Sequence, residues 1–347
     1  MTLVSITVCV RNGVDWIDDC LESLVNQTHK PLEVILVDDG STDGSQEKVE
    51  NWNDHEIVTT ITQEAIGLSA GRMAALEASK GEWVAITDID VRPEPNWIEQ
   101  MLNASEAQDE NEDVVAVTGR TIFGQSGDVV SLIRSLEIES KYRSRPRSTS
   151  LANGPCSMFK REKLVSIGGF NPSWYHAEDM EVSLKLIESG GTIVYTPDAV
   201  VKHIPETGLK RFLSKRKRDA RAHVRIVRKY SSRKRKGPGF DFLGSSWLVL
   251  LYAPAIISMA AGLLFFAMAY HQDGMDAVKQ SVVSFDYQIW LLFPILIWWP
   301  LVLRSNLSFA LRRRPIGAVL VIMVWSFALW QGIIMGYSDA LFKRNGH

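Results

Sequence analysis

Over the first 90 residues, apolar positions switch repeatedly between short continuous runs and helical spacing. Residues 3–10 and 32–37 are β-rich runs bounded by turn formers, which predicts two buried strands. Between them Trp16, Ile17, Cys20, Leu21 and Leu24 recur on one helical face. That spacing predicts a helix from Asp15 to about Asn26, with Pro31 closing the connection. A third strand is expected over residues 57–61, and a helix from Gly67 to about Ser79 turns Met73, Ala75 and Leu76 inward. Residues 82–90 form a fourth strand that delivers Asp88 and Asp90 at its carboxyl end. Strands joined by helices in this order require right-handed crossovers, so the fold class is α/β with a mostly parallel sheet.

The second half follows a different pattern. Residues 242–270, 287–303 and 315–338 contain no charged side chain. A bilayer core takes about 20 apolar residues, so about three transmembrane helices are expected, near 243–270, 287–303 and 316–338. The middle one is at the lower limit. Just ahead of them, residues 209–230 place Leu209, Phe212, Leu213, Ala220, Val224 and Val227 on one helical face, with lysines and arginines over much of the rest. Such a helix beside a membrane span reads as interfacial, lying among anionic headgroups rather than on nucleic acid. The chain therefore divides into residues 1–208, a basic amphipathic segment 209–240, and a membrane region 241–347.

Charge supports that division. The net charge of −2 combines residues 1–200, with 16 Lys/Arg against 33 Asp/Glu, and residues 201–347, with 22 against 7. Arg304, Arg312, Arg313 and Arg314 lie between the second and third spans, while residues 271–286 hold a single lysine. By the positive-inside rule the N-terminal domain faces the cytoplasm of a multi-pass protein. Met1 leads straight into a strand-like run, so no signal peptide is expected. Cys9, Cys20 and Cys156 lack metal-type spacing and are expected as free thiols.

The chemistry sits at the strand ends. No Gly-x-Gly-x-x-Gly or Gly-x-x-x-x-Gly-Lys loop occurs there, which argues against a dinucleotide site or a P-loop. Aspartates stand in their place: Asp38-Asp39 after the second strand and Asp88-Ile89-Asp90 after the fourth. Carboxylates repel a polyphosphate unless a divalent cation intervenes, and hard oxygen ligands suit Mg²⁺ or Mn²⁺. Taken alone, each motif has a plainer explanation: an Asx-turn at Asp-Gly-Ser, a solvated strand end at Asp-x-Asp, a dipole-stabilised carboxylate at a helix start.

Taken together and in order, the motifs are more specific. Val8-Cys9-Val10-Arg11-Asn12, Val37-Asp38-Asp39-Gly40-Ser41-Thr42-Asp43, Gly67-Leu68-Ser69-Ala70-Gly71-Arg72 and Asp88-Ile89-Asp90 resemble the signature of family 2 glycosyltransferases of GT-A fold. Asn153-Gly154-Pro155, Gly168-Gly169-Phe170 and Ala177-Glu178-Asp179 resemble later motifs of that family, so the resemblance covers about residues 3–225. It implies an inverting sugar transfer from a nucleotide-sugar donor, with a UDP-sugar expected. It makes Val10, Asn12, Asp38, Asp39, Arg72 and Asp88 donor contacts and Asp90 a metal ligand. It places Gly154 and Pro155 against the acceptor and makes Asp179, with Glu178, the catalytic pair in which Asp179 is the general base. His203 matches a C-terminal histidine that completes the metal site in many such enzymes.

The resemblance weakens beyond that. Many membrane-associated members carry Gln-x-x-Arg-Trp where this chain has Lys215-Arg216-Lys217-Arg218-Asp219. Arg218 keeps the diphosphate-contacting arginine, but the tryptophan that borders a growing polymer is missing. A lipid-linked or glycan acceptor at the cytosolic membrane face therefore fits better than a polysaccharide synthase. A polyprenyl-phosphate sugar synthase, using the phosphate itself as acceptor, is the main alternative. A sugar nucleotidyltransferase lacking its glycine-rich loop, and an inactive scaffold, are further readings.

Overall fold

A computed structural model describes residues 2–106, 112–143, 145–231, 242–283, 293–305 and 307–344. At its centre lies a sheet in the order β3-β2-β1-β4-β8-β6-β9-β5, with β7 paired to β9. The strands are β1 (Val4–Val10), β2 (Leu32–Asp39), β3 (Val58–Gln63), β4 (Trp83–Asp88), β5 (Val91–Pro93), β6 (Val114–Phe123), β7 (Ser148–Thr149), β8 (Ser157–Lys160) and β9 (Thr192–His203). The first half of the sheet has the parallel β3-β2-β1-β4 order expected from the alternating pattern. The second half does not. β8 runs antiparallel between β4 and β6, and β5 and β7 pair antiparallel with β9, so the sheet is mixed rather than mostly parallel.

That inserted strand has a functional consequence. Being antiparallel to β4, β8 starts where β4 ends, with Ser157 opposite Ile86. The loop before it, residues 153–156, is thereby held over the end of β4, and Thr87 Oγ1 donates to the Pro155 carbonyl at 3.0 Å. The carboxyl ends of β1, β2, β4 and β9 and the amino end of β8 form one rim of the sheet.

Both sheet faces are covered, which is why β1 and β4 read as continuous apolar runs rather than alternating ones. On one face Val4, Ile6, Val8 and Val10 pack with Ile17, Cys20, Leu21 and Leu24 of α1 (Ile17–Val25) and with Trp97, Ile98 and Met101 of α4 (Trp97–Ser105). On the other, Ile35 and Val37 meet Ala75 of α3 (Leu68–Ala78). Val84, Ile86 and Phe159 on this face meet Leu164 of α6 (Arg161–Ser166) and Val182 and Leu186 of α7 (Glu178–Glu188). Each such aliphatic side chain contributes roughly 1.5–3 kcal/mol on burial. α2 (Ser45–Trp52) lies outside β3, and α5 (Val129–Arg143) follows β6.

α8 (Leu209–Lys229) is the basic helix anticipated over residues 209–230. Its apolar positions Phe212 and Ala220 are buried in a cluster with Trp325 and Leu329 of the C-terminal helices. Those helices are α9 (Phe242–Val283), α10 (Phe293–Arg304), α11 (Leu307–Arg313) and α12 (Pro315–Leu341). α8 and α12 approach closely because α12 has glycines one turn apart. A Cβ on Gly332 would lie 2.3 Å from the Lys217 carbonyl oxygen, and one on Gly336 2.7 Å from that of Arg221. Small residues at this spacing let two helix backbones touch. Beside the contact Arg221 grips Asp339 through both nitrogens, at 2.5 and 2.8 Å.

The expectation of about three membrane spans requires correction. Among the described residues one helix, α12, is long and apolar enough to cross a membrane. Within the described residues the apolar stretch of α9 is Leu248–Leu264 and α10 begins at Phe293, so neither reaches that length there. The start of the second expected span, residues 287–292, lies outside the described residues.

The α8–α12 contact makes a test that helix propensity alone would get wrong. Gly332→Ala improves intrinsic helix propensity but inserts a methyl group into backbone, so it is expected to destabilise the chain by about 1–3 kcal/mol. Gly317→Ala on the same helix, whose Cβ would meet Val129 at 3.6 Å, is expected to be neutral or stabilising. Thermal unfolding of the purified variants compares them; equal melting temperatures would show that the two helices do not pack this way.

Candidate active site

The rim is built from loops that hold one another in place. Asn12, just past β1, adopts positive φ (54°), and its Oδ1 accepts from the Thr42 N–H at 2.8 Å, while its own N–H donates to Ser41 Oγ at 3.0 Å. Asp38 is fully buried and its carboxylate accepts from the Ser41 hydroxyl and, at 3.3 Å, the Ser41 N–H. Val10, the last residue of β1, pairs with Asp38 in the sheet. Asp39 accepts from Gln63 Nε2 at 2.7 Å and from the N–H groups of Ile66 and Gly67 at 2.9 and 3.0 Å, with Arg11 4.0 Å away. Asp38 and Asp39 therefore shape the two loops above β2 and β3.

At the centre of the rim is Arg72, one turn into α3 and 3% exposed. Its Nη1 donates to Glu178 Oε1 at 2.5 Å and its Nη2 to Asp88 Oδ1 at 2.9 Å. The guanidinium thus joins the end of β4 to the start of α7 across a sequence gap of 90 residues. Burial works against its charge, but the two carboxylates raise its pKa well above the ordinary arginine value. The planar fork suits a two-carboxylate bridge that a lysine could not reproduce. Asp88, Glu178 and Arg72 were anticipated as site residues from the sequence; that the first two are partners of the third was not legible there.

Asp179 follows Glu178. Its Oδ2 accepts from the Gly154 N–H at 3.0 Å and its Oδ1 from the Met180 N–H at 2.8 Å. The preceding Ala177 is held at positive φ (64°), an unusual conformation for alanine that turns the chain into α7. Gly154 has no side chain because a Cβ there would sit 3.1 Å from Arg72 Nη2 and 3.5 Å from Asp179 Oδ2. Burial, then the adjacent Glu178 charge, push the Asp179 carboxyl up to about 6, against the opposing pull of Arg72. A carboxylate titrating near 6 is a competent general base at neutral pH. Glu178 keeps a second buried oxygen, Oε2, with no hydrogen-bond partner among the described residues.

On the other side of Asp88, the turn after β4 presents Asp90. β5 pairs antiparallel with β9, putting Val91 opposite His203. His203 Nε2 consequently lies 3.4 Å from Asp90 Oδ1. The imidazole is oriented by its Nδ1, 2.7 Å from the Ile204 carbonyl, and by stacking on Phe123 at 4.1 Å between centroids. A carbonyl can only accept, so Nδ1 carries the hydrogen. Burial lowers the His203 pKa, favouring the neutral ring, though Asp90 opposes it. In that form the Nε2 lone pair and a carboxylate oxygen face each other, an unfavourable pairing that a bound cation resolves. The residues present therefore fit a divalent cation with two protein ligands, the remaining positions falling to substrate oxygens and water.

Arg211 Nη2, 3.6 Å from Asp90 Oδ2, is a neighbour that the sequence did not single out. It lies on the first turn of α8 and stacks over Trp16 at 5.1 Å. Arg218, anticipated as a diphosphate contact, is exposed two turns further along. With Lys210, Arg211, Ser214 and Lys215 it lines a basic cleft of about 620 Å³. Asp219, which stands at the place of the family tryptophan, is partly buried in an ionic cluster with His176 (2.5 Å) and Arg216 (3.0 Å). Pro155 contributes its carbonyl to Thr87, as described above. The three cysteines are free, and burial raises each thiol to about 12, which keeps them protonated and inert.

The raised Asp179 carboxyl has a consequence for stability. Its folded pKa of about 6 lies above the ordinary 3.8, so the stability it allows at low pH is lost as pH rises through 6. Asp179→Asn removes that loss. In chelator-treated protein the variant is expected to be more stable than the parent at pH 7.5, with the difference vanishing towards pH 4. Denaturation at the two pH values measures it, and a pH-independent difference would contradict the buried, raised carboxyl.

Residues 5–168 match the family described as Glycosyl transferase family 2. Among curated relatives, the cholesterol galactosyltransferase of Borreliella burgdorferi is 37% identical over 113 residues, 32% of this chain and 31% of that protein. The glucosyl-dolichyl phosphate glucuronosyltransferase of Haloferax volcanii is 26% identical over 223 residues, 58% of this chain and 68% of that protein. The match thus spans about a third of the first relative's length. Among solved structures, mannosyltransferase PcManGT from Pyrobaculum calidifontis, in complex with GDP-Man and Mn²⁺, gives a TM-score of 0.60 at 22% identity, covering 97% of this chain and 87% of that one. That likeness establishes a GT-A-like mixed sheet. Ordered motifs and the family match lead to one assignment: residues 5–168, a little under half of the chain, carry a glycosyl transferase family 2 domain.

Proposed function

We propose that the chain is an inverting glycosyltransferase that moves a sugar from a nucleotide-sugar donor to an acceptor presented at a membrane surface. The observation that carries this reading is the Asp88–Arg72–Glu178 bridge, which fixes a cation-ready pair and a proton-accepting carboxylate on the same rim. The nucleoside lies over the loops shaped by Asp38 and Asp39. Arg211, Lys215 and Arg218 face the donor diphosphate.

Asp179 accepts the proton of an acceptor hydroxyl as that oxygen attacks the anomeric carbon, and Arg72 together with the Gly154 N–H keeps the carboxylate aimed. A hydroxyl nucleophile requires such a base; an acceptor phosphate, already anionic, would leave Asp179 a positioning role. A divalent cation, Mg²⁺ or Mn²⁺, held by Asp90 and His203 would offset the charge developing on the departing diphosphate. The relatives that act on sterol and dolichyl-linked substrates, and the Mn²⁺ bound with GDP-Man in PcManGT, support this choice of donor, cation and acceptor class.

Membrane association is supported by α12, whose Ile316, Leu320, Ile334 and Leu341 are exposed apolar side chains. Its packing on α8 supports a catalytic rim close to the bilayer surface. The exposed lysines and arginines of α8 then face anionic headgroups.

Two variants separate the roles. Asp179→Asn is expected to cut transfer to a hydroxyl acceptor by about 10²–10⁴-fold with donor affinity retained, and the parent rate to rise with pH through an apparent value near 6. Asp90→Ala is expected to abolish the Mn²⁺-dependence of nucleotide-sugar binding measured by calorimetry. Full transfer by the first variant removes the base assignment. Equal donor affinity with and without Mn²⁺ in the parent removes the cation site.

A further inference from the structure

A second cavity, of about 630 Å³, lies between α5, the end of β6 and the middle of β9. Its deepest feature is an aromatic pair, Tyr142 and Tyr195, with ring centroids 5.8 Å apart and planes inclined by 22°. The Arg145 guanidinium stacks against both rings, at 5.6 and 5.4 Å. It donates to Thr149 Oγ1 at 3.1 Å and to the Leu151 carbonyl at 2.9 Å, and no carboxylate among the described residues pairs with it. Arg143 and Arg147 are matched by Glu139 and Glu112, at 3.1 and 2.8 Å, but Arg120 on the rim, like Arg145, has no acidic partner among the described residues.

The second observation is the Tyr195 hydroxyl. Tyr195 is 6% exposed, and its oxygen is buried with no hydrogen-bond partner among the described residues. A buried hydroxyl left unsatisfied is costly unless a ligand completes it. The cavity thus offers an unpaired hydroxyl and two unbalanced guanidinium groups, which together suit a group that only accepts hydrogen bonds and carries about two negative charges.

Its position ties it to the reaction. Tyr142 accepts a hydrogen bond from Asn153 Nδ2 at 2.7 Å, and the next residue, Gly154, holds the proposed base through its N–H. Phe123 on the cavity wall is the ring on which His203 stacks. α5, which supplies Tyr142, buries Val130 and Ile133 among the C-terminal helices. The cavity therefore adjoins the acceptor side of the site and is anchored to the part of the chain nearest the membrane.

We propose that this cavity is the acceptor's anion subsite, binding a phosphate group of the acceptor through Arg120, Arg145 and Tyr195; this rests on the glycosyltransferase reading above. A lipid phosphate and a sugar phosphate present the same chemistry, and the test distinguishes them. Calorimetry on the full chain in nonionic detergent would titrate a polyisoprenyl phosphate, the matching polyisoprenol, mannose 6-phosphate and mannose. At least one phosphate is expected to bind ten-fold or more tightly than its uncharged counterpart, and whichever does so identifies the source. Arg120→Gln and Tyr195→Phe, which remove no hydrogen bond made in the free protein, are each expected to weaken that phosphate ten-fold or more without altering Mn²⁺-dependent binding of the donor.

Affinities that do not distinguish phosphate from uncharged ligand, or that neither variant changes, would overturn the subsite. Donor binding on the same samples separates the two failures. If the donor binds and no phosphate does, the subsite alone falls; if the parent binds no nucleotide sugar, the transferase reading falls with it.

Discussion

The catalytic rim depends on a buried cation shared by two carboxylates. Arg72 is enclosed almost completely, so its desolvation cost is met only because Asp88 and Glu178 both approach it. Removing one partner from such a cluster typically costs about 3–5 kcal/mol, since it strands the remaining charge in a dry environment. What the arrangement secures is geometry. Asp90 follows Asp88 by two residues and Asp179 follows Glu178 by one, so a single guanidinium fixes the spacing between the proposed cation pair and the proposed base. The absence of a side chain at Gly154 and the positive φ of Ala177 are local conditions that the same arrangement imposes.

A second ionic cluster carries that rigidity outward. Against the burial that pushes it up, Lys141, Arg134 and Arg216 hold Glu137 down to about 2. Asp219, on the next turn of α8, is kept far below the ordinary carboxylate range by Arg216 and His176 despite its own burial. His176 is three residues from Asp179, and Arg225 of α8 donates to the His176 carbonyl at 2.6 Å. α8 is therefore a strut: one face touches the loop that leads into the base, and the other touches α12 through Gly332 and Gly336. An acceptor drawn from a membrane would meet a site already braced against the helix nearest that membrane.

Much of this was legible in the chain, and the limits have physical causes. The parallel half of the sheet could be read because each strand there is a continuous apolar run followed by a helical period. The antiparallel half could not, since β8 has four residues and β5 three, too short for a period to show. The family motifs located Asp90, Glu178, Asp179 and His203, but pairing Asp90 with His203 required the β5–β9 register, a contact between distant segments. Arg72 was expected as a donor contact; only the fold shows it bonded to the carboxylates of Asp88 and Glu178. The amphipathic face of α8 was visible as a stripe, yet its partner could equally be lipid or protein until the glycines of α12 were seen against it. Of the three uncharged runs, only the last coincides with a helix that is long and apolar enough to cross a membrane among the described residues.

In the proposed mechanism Arg72 braces two carboxylates rather than binding the donor. The pH–rate profile of Arg72→Lys, measured at saturating donor and set beside the parent's, tests it most directly. Lysine keeps the charge and loses the fork, so the apparent value near 6 is expected to move upward and the plateau rate to fall even when donor binding is saturated. An unchanged profile, with the whole effect confined to the donor KM, would contradict it and return Arg72 to the donor phosphates.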